Sequence, residues 1–348
     1  MKHTHLHTRL LALLLCCALV LPLSACGEAK STTQQIFAMD TVMDLTAYGK
    51  KADDGINAAI SIINSMDTLL DPENERSKTY EINHAMGSPV VVNEQIAKML
   101  RAALTVHERT NGAFDLTTYP LSKLWGFIDQ NYRVPSDAEI ERLLPCVDMS
   151  KVQLSATDDS ANSLVTMPAD MALSFGAVAK GCASEYAIQA MRAAGVTSGV
   201  VSLGGNVQTL GKKPDGSDWN IAIQDPNDTG SYLGYLTVGE TAVITSGSYQ
   251  RYFTEGGQKY HHILSPATGR PVNNGLLAVT IVCEDGTLAD CLSTAMFVLG
   301  PQAALNYWRT YGGFEMLLVK ADGHVVLTNG LYGQFTPNGD SYVVDYAS

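Results

Sequence analysis

Two oxygen-bearing side chains four residues apart, Asp290 and Thr294, are well suited to hold a hard cation. On a helix that spacing puts both on one face. A carboxylate and a hydroxyl so placed offer two hard oxygens to Mg²⁺, which takes few protein ligands. The plainer reading is a carboxylate serving a helix dipole beside an ordinary threonine. A second candidate is Ser174-Phe175-Gly176-Ala177-Val178-Ala179-Lys180-Gly181, where a strand ends at glycine and a helix begins near a lysine. Amides at such a junction, with the helix dipole behind them, suit phosphate oxygens. A routine strand-to-helix turn is the alternative. Third, His261 and His262 stand before the turn-rich run 265–271. Neighbours on a strand point to opposite faces, so the two do not share one metal. One of them is open to acid/base work near neutral pH, and a structural role is the alternative. Taken alone, Gly204-Gly205-Asn206, the run 111–115 and Met39-Asp40-Thr41 carry little. No G-x-x-x-x-G-K-S/T loop is present, and no G-x-G-x-x-G opens a helix after a strand.

The elements that must position these groups follow from periodicity. Residues 36–48 alternate as a strand, and Ile56, Ile60, Ile63, Met66 and Leu70 mark one face of a helix. Residues 71–83 read as a loop. A helix over 93–110 stops at Asn111-Gly112. Ser136 and Glu139 form a capping box for a short helix that Pro145 closes. Strands are predicted over 151–175, a helix over 179–194 ended by Gly195, and strands over 200–282. Helices near 289–299 and 302–311 precede the C-terminal strands. Strands and helices mix without regular βαβ alternation, which makes the fold class α+β: one large domain over 36–348, or two intimate lobes. No internal repeat and no linker interrupts it.

Composition narrows the partners. The 348 residues carry 23 basic and 35 acidic side chains, a net charge of −12. No basic footprint for nucleic acid is present, and an anionic ligand needs help from a metal or from backbone amides. Lys2 and Arg9 precede an apolar run over 10–21, which is short for a spanning helix; Leu23-Ser24-Ala25-Cys26 closes it. Residues 1–25 therefore read as a signal peptide, and the closing run resembles a bacterial lipobox with Cys26 lipidated. Ordinary secretion is the alternative. Its removal takes away two cations and no acid, leaving −14. Residues 26–35 then form a lipidated polar tether, and the protein is extracytoplasmic and anchored to the bacterial cell membrane. Cys16 and Cys17 leave with the signal. Cys146, Cys182, Cys283 and Cys291 show no metal-ligand spacing, and Cys182 and Cys291 fall in apolar helical patterns as buried thiols.

Five separated blocks, taken in order, resemble the FAD:protein FMN transferase (ApbE) family. They are Met39-Asp40-Thr41; the loop ending Glu81-Ile82-Asn83; Gly112-Ala113-Phe114-Asp115 with Pro120 and Leu124-Trp125-Gly126-Phe127; Gly176 to Gly181 with Gly204-Gly205-Asn206; and Thr245-Ser246-Gly247, His262 to Pro271 and Ala289-Asp290 with Thr294. The resemblance runs from Met39 to about Gly300. It implies Asp290, Thr294 and the Ala177 carbonyl as Mg²⁺ ligands. It implies contacts to FAD at Met39, Ala113, Phe114, Asp115, Ser174, Lys180, His262 and Ile263. His262 falls at the histidine implicated in catalysis, and Asp290 is the other group placed to help remove a proton. The implied reaction passes FMN from FAD to a serine or threonine hydroxyl of a partner, such as a membrane redox-complex subunit, and releases AMP. Hydrolysis of FAD to FMN and AMP is the second reading, and an FAD-binding lipoprotein without chemistry the third. Three positions depart from the pattern. Ser174 stands where Asp is common, Asp40 where Gly is common, and Ser265 where Asp is common. The Ser174 change removes an anionic contact and bears on FAD affinity.

Overall fold

A computed structural model describes residues 30–347 except Ser160. The predicted signal peptide and Cys26 lie outside the described residues. The chain opens with β1 (Ser31–Ala38) and β2 (Thr41–Tyr48), then α1 (Ala52–Leu70), α2 (Lys78–Asn83), β3 (Val90–Asn93) and α3 (Glu94–Arg109). Next come α4 (Tyr119–Leu124), α5 (Asp137–Leu143), β4 (Gln153–Ala156), β5 (Asn162–Thr166) and α6 (Ala179–Ala193). A run of strands follows: β6 (Gly199–Leu203), β7 (Asn206–Leu210), β8 (Trp219–Gln224), β9 (Tyr232–Val238), β10 (Ala242–Gly247), β11 (Tyr252–Glu255), β12 (Gln258–His261) and β13 (Leu276–Cys283). The chain closes with α7 (Gly286–Leu299), α8 (Pro301–Tyr311), β14 (Glu315–Lys320), β15 (His324–Thr328), β16 (Phe335–Pro337) and β17 (Val343–Ala347).

Among the described residues nine strands form one sheet in the order β1-β2-β6-β7-β10-β13-β14-β15-β17, with only the last pair parallel. Helices α1, α6 and α7 cover one face. The small sheet β16-β9-β8 covers part of the other, with Trp219, Ile221, Leu236 and Phe335 packed on Val243, Leu317, Val319 and Leu327. Burial on both faces explains why β13 is apolar at every position but Thr280 and shows no alternation. The mixed sheet-and-helix fold agrees with the α+β reading. The segments predicted as helices at 93–110, after Ser136, at 179–194 and at 302–311 fall within two residues of the observed ones. The capping box of Ser136 and Glu139 is formed.

Two local readings change. Ser31–Gln35, assigned to the tether, belong to β1 and pair with β2 along their whole length. This is an edge strand with one face in solvent, so threonine and glutamine fit it without an apolar alternation to betray it. Residues 78–83, read as loop, form a single helical turn and a half, capped by Ser77 Oγ on the Tyr80 N–H at 2.9 Å. Six residues are too few to show a 3.6-residue period.

Candidate active site

The site gathers where α6 crosses α7 beneath two hairpin turns. Gly181 makes that crossing possible: a β-carbon there would overlap the Gly286 carbonyl and lie 2.5 Å from Asp290 Cβ. The close approach lets the Gly181 N–H donate to Asp290 Oδ2 at 2.8 Å. In a continuous helix that N–H would close on the Ala177 carbonyl; here the carbonyl is left without a backbone donor among the described residues. Asn206 donates through Nδ2 to Asp290 Oδ1 at 3.0 Å. Asp290 is 4% exposed, and no cationic side chain lies within ion-pair distance among the described residues. Thr294, one turn further along α7, has its hydroxyl 3.1 Å from Ser246 Oγ of β10.

The turns that deliver Asn206 explain two of the weak sequence signals. Met39 and Asp40 join β1 to β2 with φ of 48° and 57°, and Gly204 and Gly205 join β6 to β7 with φ of 61° and 91°. Two-residue hairpins demand this left-handed backbone. It favours glycine, which accounts for a Gly preference where Asp40 stands. The turns lie side by side, since Gly204 N–H donates to the Val42 carbonyl and a β-carbon at Gly204 would meet the Thr41 side chain. Asp67 of α1 accepts the Met39 N–H at 2.9 Å and fixes the first turn.

The approach to α6 is held from behind. Asn83 pairs with the Leu173 backbone through both of its polar atoms, at 2.8 and 2.9 Å, and the Ser174 N–H donates to the Leu116 carbonyl. Asp115 is buried and consumed internally: Oδ1 accepts from the Thr117 N–H and hydroxyl, and Oδ2 from the Met149 N–H. Phe114 is core, 1% exposed. The Phe114 and Asp115 side chains therefore shape the wall from inside, and Ala113 is the half-buried member of the three. Ser174 Oγ accepts from the Gly176 N–H at 3.2 Å, and Gly176 is exposed at the head of α6.

The paired histidines part at the end of β12, where His261 is the last strand residue and His262 lies in the bend beyond it. His261 is buried, with Nε2 2.8 Å from the Val272 carbonyl and Nδ1 accepting the Ile263 N–H, so both nitrogens are spent. Ile263 is likewise a core residue. His262 is half-buried, with Nδ1 3.2 Å from the Arg251 carbonyl. A carbonyl only accepts, so Nδ1 carries the proton and Nε2 keeps its lone pair. Crowding by protein atoms, then the charges of Arg251, His261 and Lys180, pushes its pKa down to about 3. Lys180 is thus close enough to be felt at His262, and through Gly181 it adjoins Asp290. Phe127 packs edge-on against the ring at 6.4 Å.

The structure therefore places Asp290 and Thr294 on one face of α7 against the start of α6, where Ala177 and Lys180 lie, with Ser174 on the approach to that helix and His262 within electrostatic reach of Lys180. Asn206, Ser246, Ser293 and Asn83 were missed as site residues. Their only trace in the sequence is that each is a small polar residue inside, or next to, one of the five blocks. No helix among the described residues is long and apolar enough to cross a membrane. The four described cysteines are free thiols, and Cys182 and Cys291 are buried.

A largely antiparallel nine-stranded sheet, covered by helices on one face, holds a buried carboxylate beside a helix start flanked by Gly176 and Gly181. The sequence profile of the ApbE family matches residues 39–318, and the chain belongs to that family. It is 30% identical over 285 residues to the FAD:protein FMN transferase of Klebsiella pneumoniae (strain 342), covering 81% of this chain and 87% of that one. The FAD:protein FMN transferase of Treponema pallidum (strain Nichols) is 29% identical over 326 residues, 88% of this chain and 90% of its own. The ApbE protein of Thermotoga maritima superposes with a TM-score of 0.81 at 31% identity, over 88% of this chain and 99% of that structure. The apo flavinyl transferase ApbE of Pseudomonas stutzeri gives 0.74 at 26% identity, over 89% and 98%.

Proposed function

We propose that this protein cleaves FAD at its pyrophosphate and passes the FMN half to a serine or threonine hydroxyl of an acceptor protein, releasing AMP. The observation that carries the reading is Asp290, a buried carboxylate held by two neutral donors and by no cationic side chain among the described residues. A buried charge left so is costly. A carboxylate, a hydroxyl and an unused carbonyl are three hard oxygens, the donor set Mg²⁺ takes while keeping room for water and phosphate. Asp290, Thr294 and the Ala177 carbonyl would hold the ion, which when bound neutralises charge on the pyrophosphate.

The chain's own groups account for the remaining chemistry. The acceptor hydroxyl oxygen attacks the FMN phosphorus, the bond to the bridging oxygen breaks, and AMP leaves with that oxygen. The hydroxyl proton passes to His262 Nε2, the nitrogen left open by the Nδ1 contact. Burial and the neighbouring positive charges keep that ring neutral, and a doubly anionic pyrophosphate bound beside it would raise its basicity. Lys180 and the exposed backbone at Gly176 offer positive charge to phosphate oxygens. No covalent enzyme intermediate is needed. Met39, Ala113, Phe114, Asp115 and Ile263 complete the FAD-binding wall, the last three from within the core.

Lys2, Arg9, the apolar run over 10–21 and Cys26 support an exported protein lipid-anchored at Cys26 on the bacterial cell membrane. The acceptor would be a flavoprotein reachable there, such as a membrane redox-complex subunit; the acidic balance argues against nucleic acid as partner. Incubating the protein with FAD, Mg²⁺ and a folded acceptor bearing one target hydroxyl should give a flavin-fluorescent acceptor band, abolished by chelation. An unlabelled acceptor beside consumed FAD would support hydrolysis, and intact FAD would leave only binding.

A further inference from the structure

Two hydroxyls and a carbonyl form a chain behind Thr294, and the proton on each link can be assigned by elimination. Ser293 Oγ donates to the Asp290 carbonyl at 2.9 Å, and a carbonyl cannot donate back. Ser293 has one proton, so at its 2.8 Å contact with Ser246 Oγ it must accept. Ser246 then spends its only proton on Ser293. At its 3.1 Å contact with Thr294 Oγ1 it is left to accept, and Thr294 donates. The order is Thr294 to Ser246 to Ser293 to the Asp290 carbonyl. Ser246 is 9% exposed and Ser293 fully buried, so water does not substitute for either link.

We propose that Ser246 is a positioning residue for the cation site: it draws the Thr294 proton towards β10 and leaves the hydroxyl lone pairs facing the ligand. This rests on the Mg²⁺ reading above. A neutral hydroxyl binds a cation only through lone pairs, and an unheld threonine hydroxyl is free to turn its proton towards the ion. Ser293 acts one link further back, by keeping Ser246 an acceptor. The Thr245-Ser246-Gly247 block thus has a role in cation affinity without touching the cation.

The test is direct Mg²⁺ titration by calorimetry, in the presence of FAD, on folded wild-type protein, Ser246→Ala, Thr294→Val and the double variant. Loss of a group that orients a ligand weakens metal binding about 10–100-fold. Ser246→Ala should therefore raise the Mg²⁺ dissociation constant by about tenfold, and Ser246→Thr, which keeps the hydroxyl, should restore much of it. In the Thr294→Val background Ser246→Ala should have no further effect, because the hydroxyl it orients is gone. Ser293→Ala gives a second break in the chain if Ser246→Ala folds poorly, and should also weaken binding. Unchanged Mg²⁺ affinity in Ser246→Ala and Ser293→Ala, with Thr294→Val impaired, overturns the hydroxyl chain alone. Equal affinity in wild type and Thr294→Val overturns the cation reading itself.

Discussion

Replacing Asp290 by Asn separates its two possible roles, cation ligand and helix cap, by the sign of the effect on stability. The substitution keeps the shape and one acceptor oxygen but removes the charge. The carboxylate accepts from the Gly181 N–H and from Asn206 Nδ2. Hydrogen bonds to a charged group contribute about 1.5–3 kcal/mol each, so the two together offset roughly the several kcal/mol that burying an unpaired carboxylate costs. Asn at 290 removes that burial cost and one bond together, so the metal-free protein should change by no more than about 1 kcal/mol. With Mg²⁺ the sign differs. Ligand at 100 times its dissociation constant stabilises the native state by about 2.7 kcal/mol. For a large domain that is a melting shift on the order of 5 °C. Differential scanning calorimetry with and without Mg²⁺ measures both quantities. Asp290→Asn should keep the metal-free Tm and lose the Mg²⁺ shift. A variant that loses several kcal/mol without metal and still gains the full shift would make Asp290 a helix cap and refute the cation assignment.

Gly181→Ala forces the α6–α7 crossing apart against the Gly286 carbonyl; it should cost about 1–3 kcal/mol as an overpacked contact and weaken Mg²⁺ binding, read by chemical denaturation and titration on the same sample. Asn83→Ala removes both bonds to the Leu173 backbone, worth about 2 kcal/mol together, and should raise the KM for FAD with kcat less affected. His262→Gln should lower kcat more than FAD affinity. It also has a pH signature: His262 is harder to protonate folded than unfolded, so the unfolded state binds more protons below the ordinary histidine pKa near 6.5. Wild-type stability should therefore fall as pH drops from about 6.5 towards 3, and denaturation curves of His262→Gln should lack that component.

What the sequence disclosed was local. Of the face Ile56, Ile60, Ile63, Met66 and Leu70, all are buried except Ile60, which is half-buried at its edge, and Ser136 with Glu139 caps α5 as its pattern states. That the two histidines serve different ends was legible, although the strand ends at His261; the structure makes His261 a spent core residue and leaves His262 with an open nitrogen. What stayed hidden depends on long-range packing. Asn206 reaches Asp290 across 84 residues and Gly181 across 109, through a crossing that two glycines permit and no period announces. That Asp115 is buried with its oxygens accepting from Thr117 and Met149 could not be read from its block, because Met149 lies 34 residues away. Polar β1 and the six-residue α2 were illegible for a simpler reason: neither has an apolar face long enough to show a repeat.

The most direct measurement is a balance of products. Protein, FAD, Mg²⁺ and a single-site acceptor are combined, and intact-mass spectrometry counts FMN on the acceptor while chromatography counts AMP. One FMN gained per AMP released, with the mass on the target serine or threonine, is the expected result. AMP released in excess while the acceptor keeps its mass would contradict transfer and leave a hydrolase in its place.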